Sequence, residues 1–286
     1  MTIKKVVGLM LLVAALFGLV IVGGGCSTNY DETYYQGPNW TPEGLIYCQK
    51  SVTHYQKDPL GTITLGTDYS YVTMDTDGNN ETTLPYNGYP YYSPKGTYVA
   101  LISGKTISII RRSDNQQVYS FSPSSDSIES LDWGPDEDKL VYLRNNGGIN
   151  VVNINGTGDL NIAVSGEAIA WKYGNKIVFN YLDSIYTYTS IINYDGSGRQ
   201  DIIREGRVVD PQVSQIASNE VFGTQGWAYG YININLDPPS FVQLISEFTG
   251  YRPKLSPTAT KVTYGKLLDT GIWLINIDGT GLKQLK

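Results

Sequence analysis

A segment of about 40 residues recurs six times along this chain of 286 residues, and each copy contains a turn marked by an acidic or amide residue. Regular spacing in this range is typical of propellers and solenoids, in which every copy folds as one small structural unit. The marking residues, spaced by 37, 41, 40, 42 and 41, are Asp77, Asp114, Asn155, Asp195, Asp237 and Asp278.

Two shorter patterns lie inside each copy. One is an alternating strand that leads into the acidic turn, as in INVVNINGTG from Ile149 and IWLINIDGTG from Ile272. Asp-Gly and Asn-Gly pairs there provide the positive φ angles of tight hairpins. The other pattern is an aromatic or apolar residue followed by a polar turn and a short apolar run. It begins at Trp40 (WTPEG), Tyr92 (YSPKG) and Trp133 (WGPDED), and in weaker form at Trp171, Val213 and Leu255.

Short strands separated by turn signals, without helix-length apolar stripes, favour four antiparallel strands per copy and exclude a βαβ fold. The sheet of one copy cannot cover both of its own faces, so the copies must stack around an axis and close into a ring. We therefore predict an all-β, six-bladed β-propeller of four-stranded antiparallel blades over residues 37–286. Residues 26–36 are predicted to be a short tether.

The repeats resemble those of the TolB-type (WD-like) β-propeller family. The family pattern is WSPDG, an apolar strand and IYVMNADGSGLKQL, and it is similar to WTPEG, YSPKG and IWLINIDGTGLKQL here. The resemblance covers nearly all of residues 37–286 and implies the fold. It does not imply the Tol–Pal propeller protein, whose additional α/β domain would have to fit within residues 26–36.

The N-terminus has the composition of an export signal. Lys4 and Lys5 precede an uncharged run over residues 6–22, and three glycines lead to Cys26. A cysteine after small residues resembles the lipobox of prokaryotic lipoproteins, which implies lipidation of Cys26 after removal of residues 1–25. Gly23 departs from that pattern, because the family usually has leucine three places before the cysteine. An uncleaved membrane anchor and simple secretion are the alternatives.

Each of these alternatives places the body of the protein outside the cytoplasm. Loss of residues 1–25 removes two lysines and no acid, so the net charge goes from −6 to −8. An acidic body has no basic surface for phosphates, and we predict no nucleic-acid partner.

Few residues suggest catalysis or metal binding. His54 is the only histidine, and it lies in an insertion of the first repeat, near residues 52–68, which we predict to be a long contact loop. Cys48 reads as a buried, inert thiol in a strand. The acidic segment 75–81 lacks EF-hand spacing and reads as a hairpin turn. Channel carboxylates such as Asp132 or Asp210 could support a hydrolase, although no spacing rule selects them. No cofactor and no metal are predicted.

Aromatic residues follow the second strand of several repeats. In a propeller the loops at this place gather on one face, where large rigid side chains could form a ligand-binding patch. The alternative interpretation is that these residues pack in an aromatic-rich β core. With His54, the candidate ligand-binding residues are Tyr55, Tyr181, Tyr186, Trp227 and Tyr229.

The sequence therefore predicts a non-catalytic lipoprotein of the cell envelope, held at the membrane by its N-terminal lipid. The face of its propeller would bind an envelope protein or peptide. Glycan or peptidoglycan-fragment binding through the aromatic loops is the first alternative. A hydrolase or lyase with carboxylates in the central channel is the second.

Overall fold

The computed structural model describes residues 28–58, 60–171, 174–182, 187–204, 209–213, 220–225, 228–233, 241–246, 248, 250–266 and 271–286. It contains six sheets of four strands, and the paired strands of known register are antiparallel. The prediction of an all-β six-bladed propeller is confirmed. Residues 1–27, with the predicted signal and Cys26, lie outside the described part. No helix among the described residues has the length and apolarity needed to cross a bilayer.

Each blade is built from four strands that are consecutive in the chain. Blade 1 contains β1 (Thr28–Trp40), β2 (Ile46–Asp58), β3 (Gly61–Met74) and β4 (Thr82–Thr83). Blade 2 contains β5 (Tyr91–Tyr92), β6 (Tyr98–Ser103), β7 (Thr106–Arg111) and β8 (Gln116–Phe121). Blade 3 contains β9 (Ile128–Trp133), β10 (Lys139–Arg144), β11 (Ile149–Asn153) and β12 (Leu160–Ala163).

Blade 4 contains β13 (Ala168–Trp171), β14 (Lys176–Leu182), β15 (Thr187–Asn193) and β16 (Gln200–Arg204). Blade 5 contains β17 (Val209–Val213), β18 (Glu220–Gln225), β19 (Ala228–Asn233) and β20 (Phe241–Ile245). Blade 6 contains β21 (Gly250–Leu255), β22 (Lys261–Lys266), β23 (Ile272–Asn276) and β24 (Lys283–Gln284).

The chain divides into two compact units. The larger, which we call the ring, comprises residues 34–50 and 69–286. The smaller comprises residues 1–33 and 51–68, and we call its described residues, 28–33, 51–58 and 60–68, the hairpin unit. Strands β1, β2 and β3 contribute residues to both units.

The acidic turns that define the repeat close hairpins through their own side chains. An Oδ1 atom of Asn155 accepts the backbone N–H of Thr157 at 3.1 Å, and that of Asp195 accepts the N–H of Ser197 at 2.9 Å. Such a bond substitutes for a backbone contact, which explains why Asp or Asn recurs at this place. In blade 1 the same bond is made by Asp75, whose Oδ1 accepts the N–H of Asp77.

The core of the ring lies between neighbouring blades. Alternation along β10 shows the arrangement: Leu140 and Tyr142 are packed with residues of blade 2, while Val141 and Leu143 are packed with residues of blade 4. All four are at most 1% exposed. Successive side chains of a strand point to opposite faces, so an apolar residue at every position gives a sheet that must be covered on both sides. Similar clusters join blades 4 and 5, 5 and 6, and 6 and 1.

The ring closes between blades 6 and 1 without a strand shared by the two ends of the chain. Lys283 Nζ donates to Asp77 Oδ1 at 2.5 Å, and the ammonium groups of Lys50 and Lys286 lie 2.7 and 3.2 Å from the carboxylate of Glu81. Gly78 has φ +77°, and a Cβ there would collide with the Leu285 carbonyl, so glycine is required at this contact.

Two segments contain more strand than the sequence predicted. Residues 28–36, within the predicted tether, belong to β1, and residues 52–58 and 61–68, predicted to be a loop, continue strands β2 and β3. The two segments contain six threonines and four tyrosines, residue types that favour extended chain. The turn between β2 and β3 is tight: Asp58 Oδ1 accepts the backbone N–H groups of Leu60 and Gly61 at 2.8 and 3.1 Å.

Candidate functional site

The first strands of the blades line two adjoining cavities in the ring. The cavity at the channel mouth has a volume of about 320 Å³ and the one along the channel wall about 650 Å³. Both are bounded by Asn39, Asp132 and Leu255. Ligand pockets commonly have volumes of about 300–1,000 Å³. These cavities are therefore the candidate binding site among the described residues.

The mouth is formed by the polar turns that the sequence pattern marked. Pro42, Pro94, Pro135 and Pro257 follow the first strands of blades 1, 2, 3 and 6 and line the cavity. In these turns a backbone N–H returns to a carbonyl of the next strand, as from Ser93 to Tyr98 at 3.0 Å. Proline fixes φ near −65°, so the rim is conformationally restricted before any ligand arrives.

Tryptophan side chains connect the rim to neighbouring blades. Trp40 Nε1 donates to the carbonyl of Lys254 at 2.9 Å, joining blades 1 and 6, and Trp133 Nε1 donates to that of Tyr91 at 2.8 Å, joining blades 3 and 2. Both indoles are at most 8% exposed. Their apolar bodies are buried while the N–H groups find partners, which is the usual arrangement for buried tryptophan.

The carboxylate of Asp132 joins blades 3 and 4 by hydrogen bonds. Oδ1 accepts the backbone N–H of Trp133 at 2.8 Å in its own blade, and Oδ2 accepts that of Trp171 at 2.7 Å in blade 4. Burial raises the pKa of Asp132, and these two hydrogen bonds and Lys254 oppose that shift. Each oxygen therefore has a backbone donor, and the group serves as an inter-blade tie.

A tyrosine cluster lies between blades 1 and 2 at the channel wall. The Tyr89 ring centroid lies 5.6 Å from that of Tyr47 and 5.0 Å from that of Tyr91, and Asn39 Nδ2 donates to the Tyr89 hydroxyl at 2.8 Å. Burial raises the pKa of Tyr47 and of Tyr91. Both hydroxyls are therefore neutral at physiological pH, and Tyr91, which lines the cavity along the wall, offers it a polar but uncharged contact.

Charged residues of opposite sign line different parts of the wall. Glu129 and Glu167 belong to blade 3 and to the segment that leads into blade 4, whereas Arg252 and Lys254 belong to blade 6. Arg252 has φ +50°, beside an irregularity in the pairing of β21 with β22. A non-glycine residue in this conformation is uncommon and is often found at functional sites.

None of the predicted ligand-binding candidates that the structure describes lines these cavities. His54 and Tyr55 lie on β2 in the hairpin unit. His54 Nδ1 lies 2.7 Å from Asp31 Oδ1, and its Nε2 lies 3.2 Å from Asp68 Oδ2. The Tyr55 ring stacks on Tyr30 with centroids 5.1 Å apart. These contacts join all three strands of the unit, so both residues have a structural role there.

The predicted aromatic patch is corrected at Tyr229. This residue lies on β19 rather than on a loop, is 0% exposed and packs in the core between blades 5 and 6, because the strand alternation turns it inward. Tyr181 is half-buried on β14, with the Arg199 guanidinium 4.3 Å from its ring centroid. Tyr186 and Trp227 lie outside the described residues, as does Cys26.

Most of the channel residues are not among the candidates predicted from the sequence, although a signal for them is present. Asn39, Tyr91, Asp132 and Lys254 each stand directly before the aromatic or apolar residue that opens a polar turn. Alternation makes that position face the channel whenever its neighbour faces the core. Aligning the repeats on the aromatic residue therefore identifies the channel lining.

Cys48 and the acidic segment 75–81 show no sign of a reactive thiol or a metal site. Burial raises the pKa of the Cys48 thiol to about 12. In segment 75–81, the Asp75 carboxylate accepts hydrogen bonds from the turn itself, including the backbone N–H of Asn79. Among the described residues, no group of three or more His, Cys, Asp or Glu side chains could hold a metal ion.

Comparison with known proteins supports the propeller fold. The family model described as the anaphase-promoting complex subunit 4 WD40 domain matches residues 91–175, which span blades 2 and 3 and the first strand of blade 4. This is less than half of the chain. No curated protein matches the sequence.

Three solved structures share the architecture. TolB from Acinetobacter baumannii is 12% identical, with a TM-score of 0.56, over 88% of this chain and 78% of that one. A chain of a nidogen/laminin complex is 7% identical, with a TM-score of 0.54, over 88% and 92%. An oligogalacturonate lyase from Vibrio parahaemolyticus is 10% identical, with a TM-score of 0.52, over 85% and 95%. At these identities the likeness concerns the fold alone.

Proposed function

We propose that this chain is a non-catalytic binding module of the cell envelope, whose channel mouth holds a segment of a protein or peptide partner. The observation that carries the proposal is the 320 Å³ cavity at the mouth, bounded by proline-containing turns from four blades and by buried tryptophans. A rigid concave site loses little conformational entropy on binding, which favours recognition of an extended segment.

The chemistry of the site suits a peptide. The prolines and Tyr92 give the rim an apolar surface, while the exposed Lys95 adds a charged group. Farther along the wall, Glu129 and Glu167 can meet a basic side chain, and Arg252 and Lys254 an acidic one or a terminal carboxylate. TolB and the nidogen complex are propeller proteins of similar fold, and the second was crystallised with a protein partner.

Site-specific photo-crosslinking on native membranes tests the proposal. A photoreactive residue at Lys95, on the rim, should capture one envelope protein or peptide reproducibly. The same group at Val164, which is 85% exposed after the outer strand of blade 3, is the matched control and should capture none. Equal capture at both positions, or none at Lys95 under conditions that label other envelope proteins, would contradict binding at the mouth.

Export and anchoring belong to the same proposal. Support comes from the basic, apolar and glycine-rich order of residues 1–25 and from Cys26 directly after them. Stable attachment requires more than one acyl chain. Mass spectrometry of the purified mature protein should find a multiply acylated Cys26 at the N-terminus, and Cys26→Ser should abolish acylation. A mature chain that retains Lys4 would instead indicate an uncleaved anchor.

A lyase or hydrolase is the second candidate. It is favoured by the presence of Glu129, Glu167, Arg252 and Lys254 on one channel wall and by the lyase among the similar structures. Asp132 is a poor candidate for the base, since both of its oxygens accept backbone N–H groups. Polysaccharide turnover that disappears in both Glu129→Gln and Glu167→Gln, with the fold retained, would favour this candidate over the binding module.

A further inference from the structure

Strand β3 has an open edge in the hairpin unit. Its neighbours in the sheet are β2 and β4, but β4 pairs only with Val72 and Thr73. Residues 61–68 therefore have β2 on one side and no paired strand of the described chain on the other. Backbone N–H and C=O groups alternate in direction along a strand, so about half of those in this segment face an unpaired edge.

This edge carries exposed apolar side chains. Ile63 is 54% exposed, Leu65 is 55% exposed and Leu60 at the turn is 99% exposed. From Leu60 to Thr67 the chain has no charged residue and no proline. Natural proteins usually protect a free edge with lysine, proline or a bulge, because an apolar unprotected edge pairs with another strand. The segment therefore has the composition of a strand that is completed by pairing.

Cross-strand contacts hold the edge in an extended form. Thr53 and Thr67 share a hydrogen bond of 3.0 Å between their hydroxyl groups, and His54 bridges Asp31 and Asp68. A pre-formed strand loses little conformational entropy when a second strand is added, so pairing is limited mainly by the fit of the added sequence.

We propose that the occupant of this edge is a second copy of the same chain, paired antiparallel with β3 about a two-fold axis at Thr64. In that register Ile63 lies opposite Leu65 of the second copy, and the reverse contact repeats on the other side of the axis. Thr62 lies opposite Gly66. Aliphatic pairs directly across an antiparallel ladder are the contacts that stabilise sheets, so the segment is complementary to itself.

Charge disfavours two other arrangements of the edge. The only charged residue from 60 to 68 is Asp68. In the proposed register it lies opposite Leu60 of the second copy, at the end of the ladder. A parallel arrangement would set the two copies of Asp68 side by side, as would an antiparallel one centred on that residue, and like charges directly opposite are destabilising. Four acids against one lysine in the hairpin unit make such contacts more unfavourable.

A register-specific disulfide tests the pairing in the full chain. At the axis, residue 64 faces itself with a Cα–Cα distance of about 4.5–5.5 Å, which a disulfide can span. Thr64→Cys should give a covalent dimer under mild oxidation. In the matched control Thr62→Cys the two sulfurs belong to strands offset by four residues, about 13 Å, and should not join. Wild type reports any crosslinking through Cys26 or Cys48.

Sedimentation measures the association without crosslinking. Wild type should form a dimer at about 100 μM, and Ile63→Lys and Leu65→Lys should each weaken it at least tenfold, because a charge on the edge opposes pairing. Both side chains are exposed, so the tryptophan fluorescence of the ring should stay unchanged and report retained folding. A monomer at every concentration, equal crosslinking from positions 62 and 64, or binding of the edge to lipid vesicles or another protein while the chain remains monomeric would overturn the proposal.

Discussion

Strands β2 and β3 contribute to two regions with contrasting means of stabilisation. In the ring, Ile46, Cys48, Val72 and Met74 are at most 1% exposed and pack with residues of blade 6. In the hairpin unit β3 carries side chains of similar apolarity that remain more than half exposed, Ile63 and Leu65. Strand propensity and polar or stacking contacts between strands therefore stabilise the hairpin unit, whereas burial by a neighbouring sheet supplies the hydrophobic stabilisation of the ring.

The largest effect that distinguishes the two regions should come from truncating an apolar side chain. Leu140→Ala removes a wholly buried side chain between blades 2 and 3 and should lower the free energy of unfolding by about 2–5 kcal/mol. Leu65→Ala in the hairpin unit should change it by no more than about 0.5 kcal/mol. Chemical denaturation followed by tryptophan fluorescence measures both. Equal losses would show that the hairpin unit is stabilised by burial after all.

An intermediate effect is expected from the inter-blade tie of Asp132. Asp132→Ala leaves the backbone N–H groups of Trp133 and Trp171 without their acceptor, which should cost about 1–3 kcal/mol. The matched control is Asp138→Ala, an exposed turn carboxylate of the same blade that pairs with Lys139 and should matter little. Denaturation midpoints of the two variants give the comparison. An unchanged free energy of unfolding in Asp132→Ala would show that this carboxylate does not stabilise the contact between blades 3 and 4.

The smallest effect is a pH dependence confined to the hairpin unit. Hydrogen bonds to Asp31 and then Asp68 raise the pKa of His54 above its ordinary value of 6.5. Because the folded-state pKa is the higher one, this contribution is complete below about pH 6.5 and is lost as the pH rises through the folded value. Hydrogen exchange of residues 52–56 should therefore quicken over that interval, while the ring shows no such change.

The only histidine of the chain allows a direct measurement of this effect. An NMR titration of its imidazole should give a pKa above 6.5 in the wild type and a lower one in Asp68→Asn, which removes one of the two carboxylates. An imidazole that titrates at or below 6.5 in the wild type would show that the bridge between the three strands does not form in solution.

The sequence predicted the ring more fully than the hairpin unit or the binding site. Six acidic turns and the proline-containing turns are local signals, and they determined blade number and strand content. The insertion near residues 52–68 interrupts that spacing and so predicts a loop, although its four threonines favour strand. The channel residues Glu129, Glu167 and Arg252 belong to different blades, and only closure of the ring brings them to one wall.

Tyr229 shows a second limit of sequence reasoning. A tyrosine near the end of a strand is equally compatible with a surface contact and with the core, since tyrosine occurs in both places. Its neighbours in the folded chain decide: the ring of Phe248, in the segment before β21, lies 5.5 Å from that of Tyr229 between centroids and covers it. Such contacts join residues distant in sequence and cannot be read from local pattern.

Every blade of the ring is a continuous stretch of chain, and the junction of blades 6 and 1 is maintained by side-chain contacts such as that of Lys283 with Asp77. The contact between blades 6 and 1 is therefore of the same kind as the other five contacts between blades. Closure of the ring does not depend on which blade comes first in the chain. A circularly permuted gene that begins at blade 2 and ends with blade 1 should encode the same closed ring, provided that a linker joins the original termini. Whole blades of this protein can therefore be rearranged in the gene without dividing a sheet, whereas a ring closed by a shared strand would not allow this.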